Sequence, residues 1–406
     1  MRKKTLYLDY ASSTPVDPNV LAAMMPYLKQ EYGNPSSLHG FGQKAAVALE
    51  LARQMAARFL GCGANEIVFT SGATEANNLA IQGVVRQTTN DKRQTTKPHV
   101  ITLAIEHESV LAPIQKLEKE GIIEATYISV GKNGLVNPED VGKAIKENTA
   151  LVSVQYANSE IGTVQPIAEI GRIIREKNKS LVVGRGSSVI FHTDAVQAAN
   201  FLDCNVETLG VDCLTLSSHK IYGPKGSGLL FVRKGVVLNP LLEGGSQEGG
   251  LRSGTENIPA IVGMAKALAE LIGPKTGVEA VRIKHMRDQL IRGVLGRVPE
   301  SSCTGSLEKR LPNNAHFMFT RIEGKDLVML LDHKGIAVSS GSACSERSQE
   351  PSHVLLALGM SPKEALGSLR ITLGKRTTKE DIVRVLKTLP SLVDQLRKHS
   401  VRSTKT

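Results

Sequence analysis

The chain has 406 residues, 41% hydrophobic and 22% charged, with 37 glycines and a formal net charge of +11. That length and balance exclude a disordered chain and a lone small domain, so two domains are expected. Its five cysteines, an odd number with no CxxC pair, exclude a disulfide framework and a zinc site and point to the reducing cytoplasm.

The N-terminal "MRKKTLYLDYASSTP" is basic but has no apolar h-region, and a strand-like run begins almost at once. No cleaved targeting segment, transmembrane stretch or membrane partner is expected. "EIVFT" (66–70), "HVITLAI" (99–105), "LVSVQY" (151–156), "SVIFHT" (188–193), "CLTLSS" (213–218) and "GLLFVR" (228–233) read as buried strands. Helical patterns such as "EANNLAIQGVV" (75–85) and "PIAEIGRIIREKN" (166–178) lie between most of them. The alternation predicts an α/β fold with a large, mostly parallel sheet covered on both faces. Segments 86–98 and 182–188 read as polar insertions.

From about residue 260 the rhythm changes: a long helix, "IPAIVGMAKALAELIG", precedes "AHFMFTR", "GIAVSSG", "SLRITLG" and an amphipathic "KEDIVRVLKTLPSLVDQLRK". The expected division is a large α/β domain over 15–260 and a smaller α+β domain over 1–14 and 261–406. Positive charge clusters modestly in "NDKRQTTK" (90–97) and "LRKHSVRSTKT" (396–406). Without a basic stripe interleaved with aromatics, which make up 4% of the chain, these clusters argue against direct nucleic-acid binding. Attraction to an acidic partner suits them better.

In open α/β sheets ligands bind beyond the carboxyl ends of the strands, and polar residues gather there in this chain. "EIVFT" is followed by Ser71-Gly72-Ala73-Thr74 opening a helix, a seat for an anion. "HVITLAI" leads to Glu106-His107, "LVSVQY" to Asn158-Ser159-Glu160, "SVIFHT" to Asp194 and Gln197, and "CLTLSS" to His219-Lys220. Singly, each has a plain structural explanation: an Asp after a strand commonly caps a helix, and "GPKGSG" (223–228) matches neither the Walker nor the GxGxxG pattern. Together they offer a lysine for a Schiff base, an acid for a pyridine nitrogen and an anion site, the parts a pyridoxal phosphate site needs.

At "HTDAVQA" (192–198), "SSHKIYGPKGSG" (217–228), "RSGTEN" (252–257) and "SSGSAC" (339–344) the chain resembles the cysteine desulfurases, class V members of the fold-type-I pyridoxal 5'-phosphate enzymes. The resemblance runs over nearly the whole length, and the small residues around Cys344 are similar to the NifS/IscS-like group. It implies that Lys220 forms the Schiff base, that Asp194 faces the pyridinium, that Gln197 bonds the phenolic oxygen and that His107 lies on the ring and moves protons. It implies a phosphate seat of Ala73, Thr74, Ser217 and His219, with Thr255 reaching the phosphate of the other subunit of a homodimer. Arg370 is implied to pair with the substrate carboxylate through its planar fork, and Asn34 to help place the substrate, L-cysteine. No metal is implied.

Relatives usually read "NNEIG" where this chain has "NSEIG", so Ser159 replaces an Asn near the cofactor; Asn158 or a water could fill the gap. Cys344 lies among small, flexible residues with no second cysteine nearby. The resemblance makes it the nucleophile that takes sulfur from cysteine as a persulfide, leaves alanine and passes the sulfur to an acceptor protein, either an iron–sulfur scaffold or a tRNA-thiolation protein. Cys62, Cys204, Cys213 and Cys303 read as structural. A selenocysteine lyase or another class V lyase shares the cofactor residues, and a catalytically idle scaffold in sulfur trafficking is the alternative of another class.

Overall fold

Apolar runs become strands throughout the computed structural model, which describes residues 5–90, 96–185, 188–341 and 350–403. In chain order the strands are β1 (Leu6–Tyr7), β2 (Ile67–Thr70), β3 (His99–Leu103), β4 (Glu124–Ile128), β5 (Thr149–Ser153) and β6 (Ile190–Asp194). Then follow β7 (Cys213–Ser217), β8 (Gly228–Val232), β9 (Ser301–Cys303), β10 (Asn314–Phe319), β11 (Ile336–Ala337) and β12 (Ser368–Thr372). A seven-stranded sheet has the order β2-β8-β7-β6-β5-β3-β4. It is parallel except at β8, which runs antiparallel to both β2 and β7. Strand β4 was not expected: "EATYI" lies at the sheet edge with partly exposed side chains, so it lacks the apolar run of a central strand.

Alternation along the strands gives the sheet two buried faces. Ile67 and Phe69 join one core with Leu60, Ile170 and Ile174. Val68 joins another with Leu79, Val84 and Ile114 from helices Ala73–Asn90 and Glu108–Lys119. A third core gathers β10, β12 and helices Pro274–Arg297 and Lys379–Ser403 around Phe317, Leu369 and Leu389. Strands β12, β10 and β9 form a three-stranded antiparallel sheet. Strand β1 pairs in parallel with β11, so the N-terminal Leu6 and Leu8 enter this C-terminal core.

Two expectations shift. Helix Ile258–Ala269 buries Ile261, Met264 and Leu268 in the core of the large sheet, so the expected boundary at 261 falls inside an element of that core. The polar stretches 86–98 and 182–188 are partly helical, because helices continue to Asn90 and Arg185. In the first, Thr88 and Thr89 donate to the carbonyls of Val84 and Val85 one turn back, at 2.8 and 3.1 Å, which absorbs their polarity within the helix. Residues 91–95 and 186–187 lie outside the described residues.

Buried imidazoles cross-link the strands of the large sheet. His192 sits 2.8 Å from Ser153 Oγ and 3.0 Å from Thr215 Oγ1, and His99 sits 2.8 Å from the hydroxyls of both Thr149 and Thr126. Burial, the largest cause in each case, holds both rings down at about 4. The unfolded chain binds these protons near pH 6.5 and the folded chain not until about 4. Stability is therefore full above pH 6.5 and lost progressively as pH falls toward 4. The thermal midpoint should drop through this window, with a shallower slope in His192→Gln; an equal slope in both proteins would contradict the assignment.

Candidate functional site

The carboxyl ends of the parallel strands open into one cavity of about 490 Å³. Ala73, Thr74, His107, Ser159, Asp194, Gln197, Ser217, His219, Lys220 and Arg370 all line it, although they come from five separate strand ends and from β12. Asn34 and Thr255 are exposed and do not line this cavity. Cys344 lies in 342–349, outside the described residues.

At the end of β2 the chain turns through Ser71-Gly72 into helix Ala73–Asn90. The first N–H groups of a helix have no intrahelical acceptor, and the dipole adds partial positive charge, so this end suits an anion. Glu75 braces the turn, accepting from the Ser71 N–H at 2.7 Å and from Arg252 Nε at 3.1 Å. Gly228 starts β8 directly behind it. A Cβ at that position would stand 2.6 Å from the Gly72 carbonyl carbon, so only glycine permits this approach.

Asp194 closes β6, and its Oδ1 accepts from the Val196 N–H at 3.0 Å. His107 caps helix Glu108–Lys119, its Nδ1 accepting from the Ser109 N–H at 3.1 Å. The preceding Glu106 is buried and accepts from the Gln155 N–H at 2.8 Å; burial pushes its carboxyl well above the usual range. After β7 a short 3-10 turn, Ser218–Lys220, aims the lysine inward. Lys220 Nζ donates to the carbonyls of Ala11 and Ser12, both at 2.7 Å. His219 Nδ1 lies 3.2 Å from Ser13 Oγ, and burial, aided by Lys220 and Lys225, holds its ring down at about 4.

Sequence reasoning missed the N-terminal segment 9–13. Besides the contacts to Lys220 and His219, Ala11 O accepts from Gln197 Nε2 at 3.0 Å. Arg370, buried on β12, gives Nη2 to Asp9 Oδ1 at 3.0 Å and to Ser12 Oγ at 2.7 Å, and Nη1 to the Ser159 carbonyl at 3.1 Å. The signal was the small polar run of "YLDYASST" directly after a strand. A second correction concerns Asn158, which cannot stand in for an Asn at 159. Its side chain is already committed to Ile105 O, Glu160 N and Ile161 N at 2.9 to 3.0 Å, and it does not line the cavity.

The four described cysteines are free, and burial is the largest cause raising each thiol, Cys62 and Cys204 to about 12. Thiols held protonated in this way are poor nucleophiles. The anion partner of Arg370 is testable without reference to function. Asp9→Ala leaves a buried guanidinium short of its carboxylate and should cost roughly 2–3 kcal/mol of stability. Asp9→Asn, which keeps an acceptor, should cost less in the same denaturant titration; an unchanged midpoint in both variants would sink this role for Asp9.

Comparison with known proteins bears on the whole chain. The aminotransferase class-V family model matches residues 6–385. The cysteine desulfurase IscS 1 of Archaeoglobus fulgidus is 47% identical over 394 residues, covering 97% of this chain and 98% of the relative. A solved NifS-like protein superposes with a TM-score of 0.87 at 36% identity, covering 96% of this chain and all of the other. A structure of SspA in complex with cysteine superposes at 0.78 with 37% identity, covering 91% of this chain and 99% of the other. Matched from β1 into the last helix, with the strand-end cavity inside the matched span, this chain belongs to the aminotransferase class-V family.

Proposed function

We propose that the chain is a pyridoxal-phosphate-dependent cysteine desulfurase, which converts L-cysteine and the Cys344 thiol into L-alanine and a Cys344 persulfide. The observation that carries this is the meeting of Lys220, Asp194, a helix N-terminus and Arg370 at one cavity. These residues fit the cofactor: an amine, a carboxylate preset by the Val196 N–H and an anion seat all line one cavity. When bound, the cofactor supplies an electron sink for the substrate carbon.

The rest is the work of this chain's own groups. The N–H groups of Ala73 and Thr74, with Ser217 and His219, would hold the phosphate. Asp194 would hold the ring nitrogen protonated, Gln197 would bond the phenolic oxygen, and Lys220 would provide the amine. Arg370, preset by Asp9, Ser12 and the Ser159 carbonyl, receives the substrate carboxylate. Ser159, at the cavity wall in place of the relatives' Asn, offers a hydroxyl there. The Cys344 thiolate attacks the substrate sulfur, whose bond to carbon breaks as the carbon takes a proton.

A homodimer is supported by apolar side chains left in water around helix Gly40–Leu60: Leu38 is 92% exposed, Val47 58% and Leu51 60%. Asn34 and Thr255, absent from the chain's own cavity, then become candidates to complete the partner's. No helix among the described residues is long and apolar enough to cross a membrane. A sulfur acceptor protein in the cytoplasm, an iron–sulfur scaffold or a tRNA-thiolation protein, is the proposed partner, and the net charge of +11 favours one that is acidic.

The test is alanine and sulfide release from L-cysteine with dithiothreitol. The native protein should carry a visible cofactor band and form alanine. Cys344→Ala should keep the band and lose at least about 1000-fold in rate, the scale of losing a nucleophile; Lys220→Ala should lose both the normal band and the rate. A native protein that holds the cofactor yet makes no alanine would overturn the proposal.

A further inference from the structure

Asn77 lies on helix Ala73–Asn90, wholly buried behind the cavity wall, and its side-chain nitrogen does two things. Nδ2 donates to Asp194 Oδ2 at 2.8 Å and to Ser109 Oγ at 2.8 Å. The orientation of the amide is settled by chemistry, since an ionised carboxylate only accepts and the flipped amide would set oxygen against oxygen. With its two protons spent in this way, Asn77 makes Ser109 Oγ an acceptor on that side. The Ser109 hydroxyl hydrogen is then left for His107 Nδ1, 2.8 Å away. The Ser109 backbone N–H points to the same nitrogen at 3.1 Å.

We propose that Asn77 and Ser109 are positioning residues that tie the Asp194 carboxylate to His107 and hold the imidazole as its Nε2–H tautomer. The proposal rests on the reading that Asp194 and His107 serve one cofactor ring. Two donors converge on Nδ1, so the proton of the neutral ring belongs on Nε2. Protonating Nδ1 as well would place its hydrogen against the Ser109 N–H. His107 therefore meets the reacting atoms first as a hydrogen-bond donor through Nε2, not as a lone pair that collects a proton. The direction of the chain comes from Asn77: a leucine of similar size breaks both links, and an aspartate cannot donate to Asp194 while ionised.

The tie is read by nitrogen NMR of the purified holoenzyme carrying ring-¹⁵N histidine, with the His107 signals identified by their loss in His107→Gln. At neutral pH the native protein should show Nε2 protonated and Nδ1 unprotonated and hydrogen-bonded. Ser109→Ala should move the Nδ1 resonance toward that of an unbonded imine nitrogen and lower the rate of alanine formation about tenfold, the scale of one lost hydrogen bond. Ser109→Thr, which keeps the hydroxyl, should restore both. Asn77→Leu should move the same resonance and also shift the visible cofactor band, through Asp194. A native Nδ1 that carries the proton, or an Nδ1 resonance that neither variant moves, overturns the proposal. Lack of a visible band in the native protein would instead count against the cofactor reading, and the ring nitrogens would still report on the tie.

Discussion

A guanidinium almost withdrawn from water must find its acceptors inside the protein, and Arg370, with 3% of its side chain exposed, finds them in two segments far from it in the chain. Asp9 and Ser12 come from the N-terminal segment, the Ser159 carbonyl from the loop beyond β5, and the arginine itself from β12 of the three-stranded sheet. Removing any of these acceptors leaves a buried charge less well paired, which costs far more than a surface contact. The two sheets and the N-terminus are thereby held in one geometry at the cavity. The N-terminal segment, once there, also supplies the carbonyls that receive Lys220 and Gln197 and the hydroxyl beside His219.

Around that node the electrostatics are set by burial more than by charge pairing. His219 is kept from protonating near neutral pH, and Glu106 is pushed toward its neutral form, both mainly because the charged state loses hydration. The four described thiols are held protonated for the same reason. Formally charged side chains in the lining are few, Glu75, Asp194, Arg370, Lys220 and Lys225 among them. The helix end at Ala73 adds its dipole, while the Glu75 carboxylate there is turned onto the Ser71 N–H and Arg252.

The strand-end residues were legible because each is local: a β-strand run stops, and the next residues in sequence face the crevice. Lys220, Asp194, Gln197, His107 and Ala73-Thr74 needed only that rule to be grouped, and the motifs around them to be given roles. Asp9, Ser12, Asn77 and Ser109 were not legible in that way. Asn77 sits one helical turn inside an ordinary amphipathic pattern, and its partner Ser109 is 32 residues away. Asp9 and Arg370 are separated by 361 residues, and nothing in either neighbourhood announces the other.

By itself, the sequence determined the alternation of strand and helix, the side of the sheet on which ligand chemistry gathers, and the family whose motifs the chain carries. The first two follow from periodicity and short-range order, which survive in one dimension, and the third from the resemblance of short motifs. Tertiary structure alone decided which polar residues pair across the cavity wall, that Asn158 is committed elsewhere, and that helix Ile258–Ala269 joins the larger core. Those outcomes depend on which buried donor meets which buried acceptor once distant segments pack, and that is set by three-dimensional proximity, not by spacing along the chain.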